Sequence, residues 1–247
     1  MYGERAVMTG VGCSGHLHLG HAAALFIYKY FRRSARFGRI YVSDVGAFFS
    51  RNLTWETVGK FRDSIKSTLH DFGISSDDVR FESESLSEIL NKMGEEPSTY
   101  NFDDSLTVAE IALTIRESSN LLLVLGRDEE YFVGDLTKRI GSPDALSWIT
   151  YETILSPQGN AKMSKSKRET CVALDNLEES IGEMSPEYMR YCESYFHTLL
   201  MELGIDTTKV PRGLYQCIEW VKFFGSNKPP PSVSTKSDDE LHKYQAP

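Results

Sequence analysis

The feature that most constrains the fold is a strand, a glycine-rich loop and a helix in direct succession over residues 4–33. The stretch ERAVMTG is an apolar strand pattern ending in glycine, and HLGHAAALFIYKYFRR is a strong helix pattern. Gly10, Gly12, Gly15 and Gly20 let the backbone of the junction approach a ligand closely. Because the N–H groups and the dipole of a helix N-terminus both attract negative charge, this junction predicts an anion site for a nucleoside triphosphate.

Strands and helices continue to alternate along the chain, which predicts an α/β, Rossmann-like doubly wound parallel sheet with right-handed crossovers. The further predicted strands are residues 38–44, 79–83, 120–126 and 146–155. The predicted helices of the sheet region are residues 54–73, 85–94, 106–118 and 128–141, with a polar loop at 95–104. Residues 1–174 should form the catalytic domain, 175–225 a small helical region, and the proline- and serine-rich residues 226–247 a disordered tail.

Charge and cysteine content exclude several classes of protein. The net charge of −8 excludes a globally basic nucleic-acid binder, although it leaves a local basic face open. The four cysteines are far apart and form no C-x-x-C pair, which argues against a zinc ribbon or a disulfide framework and fits a reducing cytoplasm. No basic leader followed by an apolar run is present, and no segment approaches a membrane span, so we expect no membrane partner.

His16, His18 and His21 lie within a span of six residues at the glycine-rich junction, and three interpretations of them are possible. His18 and His21 share one face of the helix and could donate hydrogen bonds to a phosphate. A metal site is the weaker interpretation, because zinc requires a third ligand and an ordered second shell, so we predict no metal ligand. A third reading is that the histidines only cap a core helix. His16 precedes the helix and matches no catalytic role.

A second motif, NAKMSKSKRE, follows the last predicted strand and contains the densest cationic run outside the first helix. A mobile loop of this kind can close over a triphosphate, with Lys162 and Lys165 neutralising the phosphates as pyrophosphate leaves. The alternative is a solvated basic loop, which is what most charge runs are.

HLGH near the N-terminus and KMSKS at the far end of a parallel-sheet domain resemble the class I aminoacyl-tRNA synthetases. The chain is similar to the tryptophanyl/tyrosyl branch, especially its archaeal and eukaryotic tryptophanyl type, in the segments TGVGCSGHLHLGH, VSDVGAFFSRNLTWE, LLLVLGRDEEYFVGDLTKRIG and SPQGNAKMSKSK. The resemblance is colinear over residues 5–170. It implies a shortened synthetase without a full anticodon-binding domain.

The resemblance implies roles for individual residues. His18 and His21 would stabilise the α-phosphate in the transition state, and Lys162 and Lys165 would hold the leaving pyrophosphate. The implied nucleotide-binding residues are Gly10 in the loop, Gly20 against adenine, Gly126 and Asp128 on the ribose hydroxyls, and Met163, Ser164 and Ser166 in the second motif. An aspartate that opens a helix is also a common N-cap, so Asp128 has a structural alternative.

Departures from the branch concern the amino acid. Cys13 stands where proline is common, and Phe48 replaces a tyrosine that helps to recognise indole in the eukaryotic tryptophanyl type. Glu129 stands in place of a glutamine, and Ile111 beside Glu110 falls where the branch presents a glutamine to the substrate. We assign Phe48, Glu110 and Glu129 to the amino-acid pocket, where a carboxylate could meet a substrate ammonium or a cationic side chain. Each glutamate could equally be a solvated helix residue.

The resemblance therefore implies an enzyme that activates an amino acid with ATP and Mg²⁺, releases pyrophosphate and transfers the aminoacyl group to the acceptor end of a tRNA. It leaves a homodimer open. The alternatives are a free-standing paralogue with a non-tRNA acceptor, another nucleotidyltransferase with an HxGH motif, and a non-catalytic RNA-binding paralogue. The intact histidines and lysines argue against the non-catalytic reading.

Overall fold

A computed structural model describes residues 5–86, 105–140, 143–159, 162–163 and 171–225. Their centre is a five-stranded sheet in which every pair of neighbouring strands is parallel. The strands are β1 (Arg5–Gly12), β2 (Phe37–Ser43), β3 (Val79–Phe81), β4 (Asn120–Gly126) and β5 (Leu146–Tyr151). Their spatial order is β3-β2-β1-β4-β5. This is a Rossmann-like arrangement, as the sequence predicts, and its order reverses between β1 and β4, where ligands bind in such sheets.

Helices cover both faces of the sheet. They are α1 (Leu19–Arg32), α2 (Asp44–Ser50), α3 (Trp55–Asp71), α4 (Ser105–Ser118), α5 (Glu130–Ile140), α6 (Leu177–Gly182), α7 (Pro186–Glu202) and α8 (Leu214–Phe223). Side chains alternate along each strand, so Val7, Ile40 and Val42 join the large core beneath α1 and α3. Met8 and Tyr41 face α4 and α5 on the opposite side.

The sequence prediction does not include α2, and most other boundaries agree with it to within two residues. Three differences bear on the site. β3 ends at Phe81 instead of residue 83, because Glu82 begins a helical segment. β5 ends at Tyr151, and beyond it only Leu155 makes an isolated bridge, to Lys162. Asp128 does not cap α5: a 3₁₀ turn over Arg127–Glu129 precedes that helix, which begins at Glu130. The predictions for residues 87–94, for the loop at 95–104 and for the tail at 226–247 lie outside the described residues.

The C-terminal helices share the core of the sheet region. α8 packs on α1 through contacts of Phe26 with Trp220 and Phe224, whose ring centroids lie 6.4 and 5.0 Å away. The buried Lys29 of α1 donates a hydrogen bond to the carbonyl of Val221 at 3.2 Å. Residues 175–225 are mainly helical, and one hydrophobic cluster runs through α1, α7 and α8.

Candidate active site

His18 and His21 organise the N-terminus of α1 through reciprocal hydrogen bonds. His18 is the N-cap, and its ring Nδ1 accepts from the backbone N–H of Gly20 at 3.2 Å. The Nδ1 of His21 accepts from the backbone N–H of His18 at 3.1 Å. Because Nδ1 is the acceptor in both rings, the proton of each neutral imidazole belongs on Nε2, which makes Nε2 a hydrogen-bond donor. The histidines thus cap the helix, and capping also fixes the tautomer that phosphate binding needs.

The loop before α1 is held by main-chain bonds to a distant part of the chain. The N–H of Leu19 donates to the carbonyl of Val172 at 2.8 Å, and that of Leu174 donates to the carbonyl of Leu17 at 2.9 Å. The first turn of α1 contains no acidic residue, so no carboxylate opposes the positive end of the helix dipole. The junction therefore keeps the electrostatic character of an anion site.

Gly20 brings the two sequence motifs together. A side-chain carbon at position 20 would lie 3.1 Å from the His18 ring and 4.0 Å from the terminal methyl group of Met163. Met163 is 2% exposed and belongs to the main core. Although about 140 residues separate them in the sequence, HLGH and the start of KMSKS are neighbours in space. Lys165, Ser164 and Ser166 lie outside the described residues.

Asp128 and Lys162 also meet. Lys162 Nζ lies 2.6 Å from Asp128 Oδ2, and Thr153 Oγ1 donates to Asp128 Oδ1 at 2.9 Å. Partial burial raises the pKa of Asp128, but the hydrogen bonds from Lys162 and Thr153 outweigh it, so the pKa falls below its ordinary value. Both charged side chains are nearly half exposed. This pair joins the loop after β4 to the KMSKS segment.

A cavity of about 280 Å³ opens at the carboxyl ends of β1, β2 and β4. Its volume is near the lower limit of roughly 300 Å³ for small-molecule sites. Gly10, Ile111 and Glu129 line it. Its other described lining residues are Met8, Thr9, Val11, Gly12, Tyr41, Ser43, Thr107, Leu123, Leu125, Tyr131 and Phe132. Glu129 lies at its exposed rim and accepts a hydrogen bond from the N–H of Gly126 at 3.3 Å.

Two residues assigned to the amino-acid pocket from sequence lie outside this lining. Phe48 stacks on Trp55, with ring centroids 4.6 Å apart and planes inclined by 13°. Glu110 is 1% exposed and pairs with Arg39 at 3.3 Å and, more distantly, with Arg80 at 3.8 Å. The structure therefore brings only Glu129 of the three into contact with the cavity.

Cys13 and His16, which the sequence analysis also singled out, contact other parts of the chain. Cys13 is fully buried, and its Sγ lies 3.8 Å from the carbonyl of Val58. The Nδ1 of His16 lies 2.5 Å from Asp175 and 2.9 Å from Ser64 Oγ, away from the capping pair.

Sequence reasoning missed a buried polar network beside the cavity. Glu82 accepts hydrogen bonds from the N–H of Gly46, Ser43 Oγ and Tyr41 Oη at 2.8, 2.9 and 3.3 Å. Its burial raises its pKa, against the opposing effect of Gly46 and Ser43. Next to it, the fully buried Asp44 pairs with Arg62 at 3.0 Å. Polar residues directly after β2 and β3 were the available signal, because ligands bind at the carboxyl ends of parallel strands.

The described residues lack both a metal-binding cluster and a membrane-spanning helix. They contain no group of three or more histidine, cysteine, aspartate or glutamate side chains able to hold a metal ion. In the same ranges, every helix is too short or too polar to cross a lipid bilayer.

Comparison with solved structures identifies the fold. The tryptophanyl-tRNA synthetases of Aeropyrum pernix and Giardia lamblia superpose with TM-scores of 0.55 and 0.51, at 17% and 16% identity, each over 72% of this chain. The tyrosyl-tRNA synthetase of Aeropyrum pernix gives 0.52 at 16% identity, also over 72%. The chain has the catalytic-domain fold of class I aminoacyl-tRNA synthetases.

The synthetase fold is shared over part of these proteins only. The chain spans 56%, 60% and 61% of the lengths of the three synthetases. Comparisons with protein-family models and with curated sequences found no match. At this level of identity the likeness establishes the fold of the tryptophanyl/tyrosyl branch, and the activity has to be argued from the site.

Proposed function

We propose that the protein activates an amino acid with ATP, forms an aminoacyl-adenylate and transfers the aminoacyl group to the acceptor end of a tRNA. The observation that carries this proposal is the proximity of the two motifs, because both the His18 ring and the methyl group of Met163 lie next to Gly20. A glycine loop with only a structural role gives no reason for the KMSKS motif to begin beside it.

In the proposed reaction an oxygen of the amino-acid carboxylate attacks the α-phosphorus of ATP in line. The bond from the α-phosphorus to the bridging oxygen breaks, and pyrophosphate leaves with the electron pair. The Nε2–H groups of His18 and His21 donate hydrogen bonds to charge that develops on the α-phosphate oxygens. Lys162, together with Lys165, carries the positive charge that compensates the departing pyrophosphate. No protein nucleophile takes part.

The remaining residues of the nucleotide half bind ATP. Gly20 lacks a side chain, so its backbone can approach adenine. Gly126 and Asp128 bind the ribose hydroxyls, and Gly10, Met163, Ser164 and Ser166 complete the site. Mg²⁺ fits the site as an ion carried by ATP, because it is bound mainly by phosphates and water in such enzymes and the described residues supply no dedicated cage. When bound, it would neutralise phosphate charge.

The amino-acid half lies in the 280 Å³ cavity beside the reacting centre. Its apolar walls suit a side chain larger than that of alanine, and Glu129 at the rim can meet the substrate ammonium. These features support an amino acid as the second substrate without fixing which one.

The test is ATP–pyrophosphate exchange across a panel of the proteinogenic amino acids, followed by charging of total tRNA. Exchange that depends on one amino acid supports activation. ATP binding without exchange for any amino acid contradicts the proposal and favours a non-catalytic paralogue. Exchange without charging supports activation and contradicts transfer to tRNA. The aminoacyl group would then go to a non-tRNA acceptor, or the adenylate would be the product.

A further inference from the structure

Lys29, near the C-terminal end of α1, is a buried cation without a carboxylate partner among the described residues. It is 9% exposed, and its ammonium group donates hydrogen bonds to the carbonyls of Val221 and Lys222 at the end of α8. A buried lysine is normally paired with an anion, because burial removes the hydration of its charge. Burial accordingly lowers the pKa of Lys29 to about 8. The two carbonyls therefore compensate only part of its charge.

A second cavity, of about 340 Å³, opens beside this lysine and is called the Lys29 cavity below. Its charged lining residues are Lys29, Arg32, Arg33 and Asp78. Its other described lining residues are Tyr28, Gly73, Ile74, Ser75, Phe224 and Gly225. A side-chain carbon at position 73 would lie 3.8 Å from Lys29 Nζ, so the glycine leaves space between that atom and the cavity.

The one carboxylate of the Lys29 cavity is already matched by another cation. Arg32 donates to both oxygens of Asp78, from Nε to Oδ2 at 2.7 Å and from Nη2 to Oδ1 at 3.2 Å. The hydroxyl of Tyr28 donates a third hydrogen bond to Oδ2 at 2.8 Å. Since Asp78 and Arg32 cancel in charge, Lys29 and Arg33 give the cavity a net positive charge.

Arg33 presents unused hydrogen-bond donors to the same cavity. Its guanidinium carbon lies 5.3 Å from the centre of the Phe224 ring, and such a cation–π contact uses none of its N–H hydrogens. Within the described ranges, Arg33 has no hydrogen-bond acceptor and no carboxylate partner. On the α8 side, the charge of Lys222 is matched by Glu219 at 2.6 Å.

Capping of α8 is the alternative role for Lys29. Cations stabilise the C-terminal ends of helices, and this role explains the two hydrogen bonds to carbonyls. It does not explain why a second cation with unused N–H groups lines the same cavity. Nor does it explain the burial of an ammonium charge that no carboxylate in the described part of the chain neutralises.

We propose that the Lys29 cavity is a second anion site, which binds the phosphate group of a small molecule between Lys29 and Arg33. A phosphate dianion matches the two positive charges, and its oxygens accept hydrogen bonds from both side chains. Ile74 and Phe224 give the rest of such a molecule an apolar surface. The site lies at the opposite end of α1 from His18, ~20 Å away along a helix of 14 residues. It is therefore separate from the nucleotide site and does not depend on the proposed function.

The first experiment measures the binding of inorganic phosphate and of glycerol 3-phosphate by calorimetry, at constant ionic strength and without ATP. We expect Arg33→Met to weaken binding roughly tenfold or more, because it removes a charge-assisted hydrogen bond. Arg36→Met is the matched control, since Arg36 is an exposed arginine that contacts the carbonyl of Glu117 outside the cavity. The tighter of the two ligands identifies a free phosphate or a phosphate ester as the source. No binding by either, or equal effects of the two substitutions, would overturn the inference.

Two further arms separate this site from other places where phosphate can bind. Lys162→Met removes a cation of the candidate nucleotide site and should leave the affinity for the small anions unchanged. Weaker binding by Lys162→Met together with natural affinity of Arg33→Met would assign the phosphate to the nucleotide site and contradict the inference. Binding of a short RNA oligonucleotide through Arg33, with no binding of either small anion, would assign the surface to a nucleic-acid backbone and also contradict it.

The second experiment tests the contribution of Lys29 with sulfate, which has the shape and charge of phosphate but no proton that titrates near pH 8. A bound anion raises the pKa of a neighbouring ammonium group, so binding at pH 8 should take up protons. Arginine and aspartate side chains do not ordinarily titrate near this pH, and burial raises the pKa of Tyr28 away from it.

Calorimetry in two buffers with different ionisation enthalpies measures this proton uptake. We expect uptake in the natural chain and in Arg36→Met, and none in Lys29→Met. If Lys29 only caps α8, the binding enthalpy will not depend on the buffer, which contradicts the inference. Failure of sulfate to bind contradicts it as well, because Lys29 and Arg33 both act as donors.

Discussion

Replacement of His21 by asparagine or by glutamine separates the two functions of its ring. Asparagine places an oxygen at the same number of bonds from the backbone as Nδ1, so it can still accept the hydrogen bond from the N–H of His18, which the ring accepts at 3.1 Å. It has no group at the Nε2 position. Glutamine reaches that position with an amide N–H, and it is also a favoured residue at the third position of a capped helix.

The donor function of the His21 ring should affect turnover, and its capping function should affect stability. Loss of one preorganised donor to the developing charge should lower kcat by ~10²- to 10³-fold, or ~3–4 kcal/mol. The cap itself is worth ~1 kcal/mol of stability, and asparagine should retain it. We therefore expect His21→Asn to fold as stably as the natural chain and to lose turnover, while His21→Gln keeps more of its turnover.

The assay is steady-state pyrophosphate exchange with varied ATP, together with thermal unfolding. His16→Asn is the matched control, because His16 pairs with Asp175 and Ser64 outside the capping pair and should keep its activity. The reasoning is refuted if His21→Asn matches the natural turnover. It is also refuted if the variant loses ATP affinity at unchanged turnover, because the ring would then bind the ground state.

Three further perturbations test other parts of the structure. Gly20→Ala should slow pyrophosphate exchange more than it lowers the free energy of unfolding, because the added methyl group would lie 3.1 Å from the His18 ring. Exchange at the natural rate would contradict the inference that ATP approaches the backbone of Gly20 closely. Arg62→Met should lower the free energy of unfolding by about 3 kcal/mol in chemical denaturation, because it leaves Asp44 buried without its cation. A neutral effect would show that the two hydrogen bonds that Ser83 donates to Asp44 are enough to stabilise its charge. Burial lowers the pKa of Lys29 to about 8, below its value in the unfolded chain, so the unfolded state binds more protons above that pH. The free energy of unfolding should consequently rise between about pH 8 and 10 in the natural chain and less so in Lys29→Met, and parallel pH profiles would argue against a shifted Lys29.

The local signals of the sequence were sufficient for the sheet and for the helix that begins after His18. Apolar runs bounded by glycine fixed β1 and β4, and the helix pattern after His18 fixed α1, because burial and periodicity act within one element. The position of Asp128 could not be predicted in this way. Its carboxylate could have capped α5, but Thr153 and Lys162 bind it instead, and those contacts depend on how distant segments pack.

The amino-acid half was harder to predict for a related reason. The roles of Phe48 and Glu110 follow from the family resemblance alone, and the structure places Phe48 on Trp55 and Glu110 on Arg39. Tyr41 and Glu82 carry no motif, since a tyrosine in a strand and a glutamate after one are ordinary residues. Only the register of β2 beside β3 brings their side chains together.

Under the proposed function, the ion pair between Asp128 and Lys162 competes with ATP binding. The Asp128 carboxylate, which should bind the ribose, is paired with Lys162, which should bind a phosphate. ATP must therefore break this ion pair before it can contact both side chains. Exposed pairs of this kind are worth at most ~1 kcal/mol, which corresponds to about a fivefold weakening of apparent ATP affinity. Moderate salt screens this internal pair as well as the phosphate contacts, so the affinity for ATP should respond less to ionic strength than the charge of the ligand suggests.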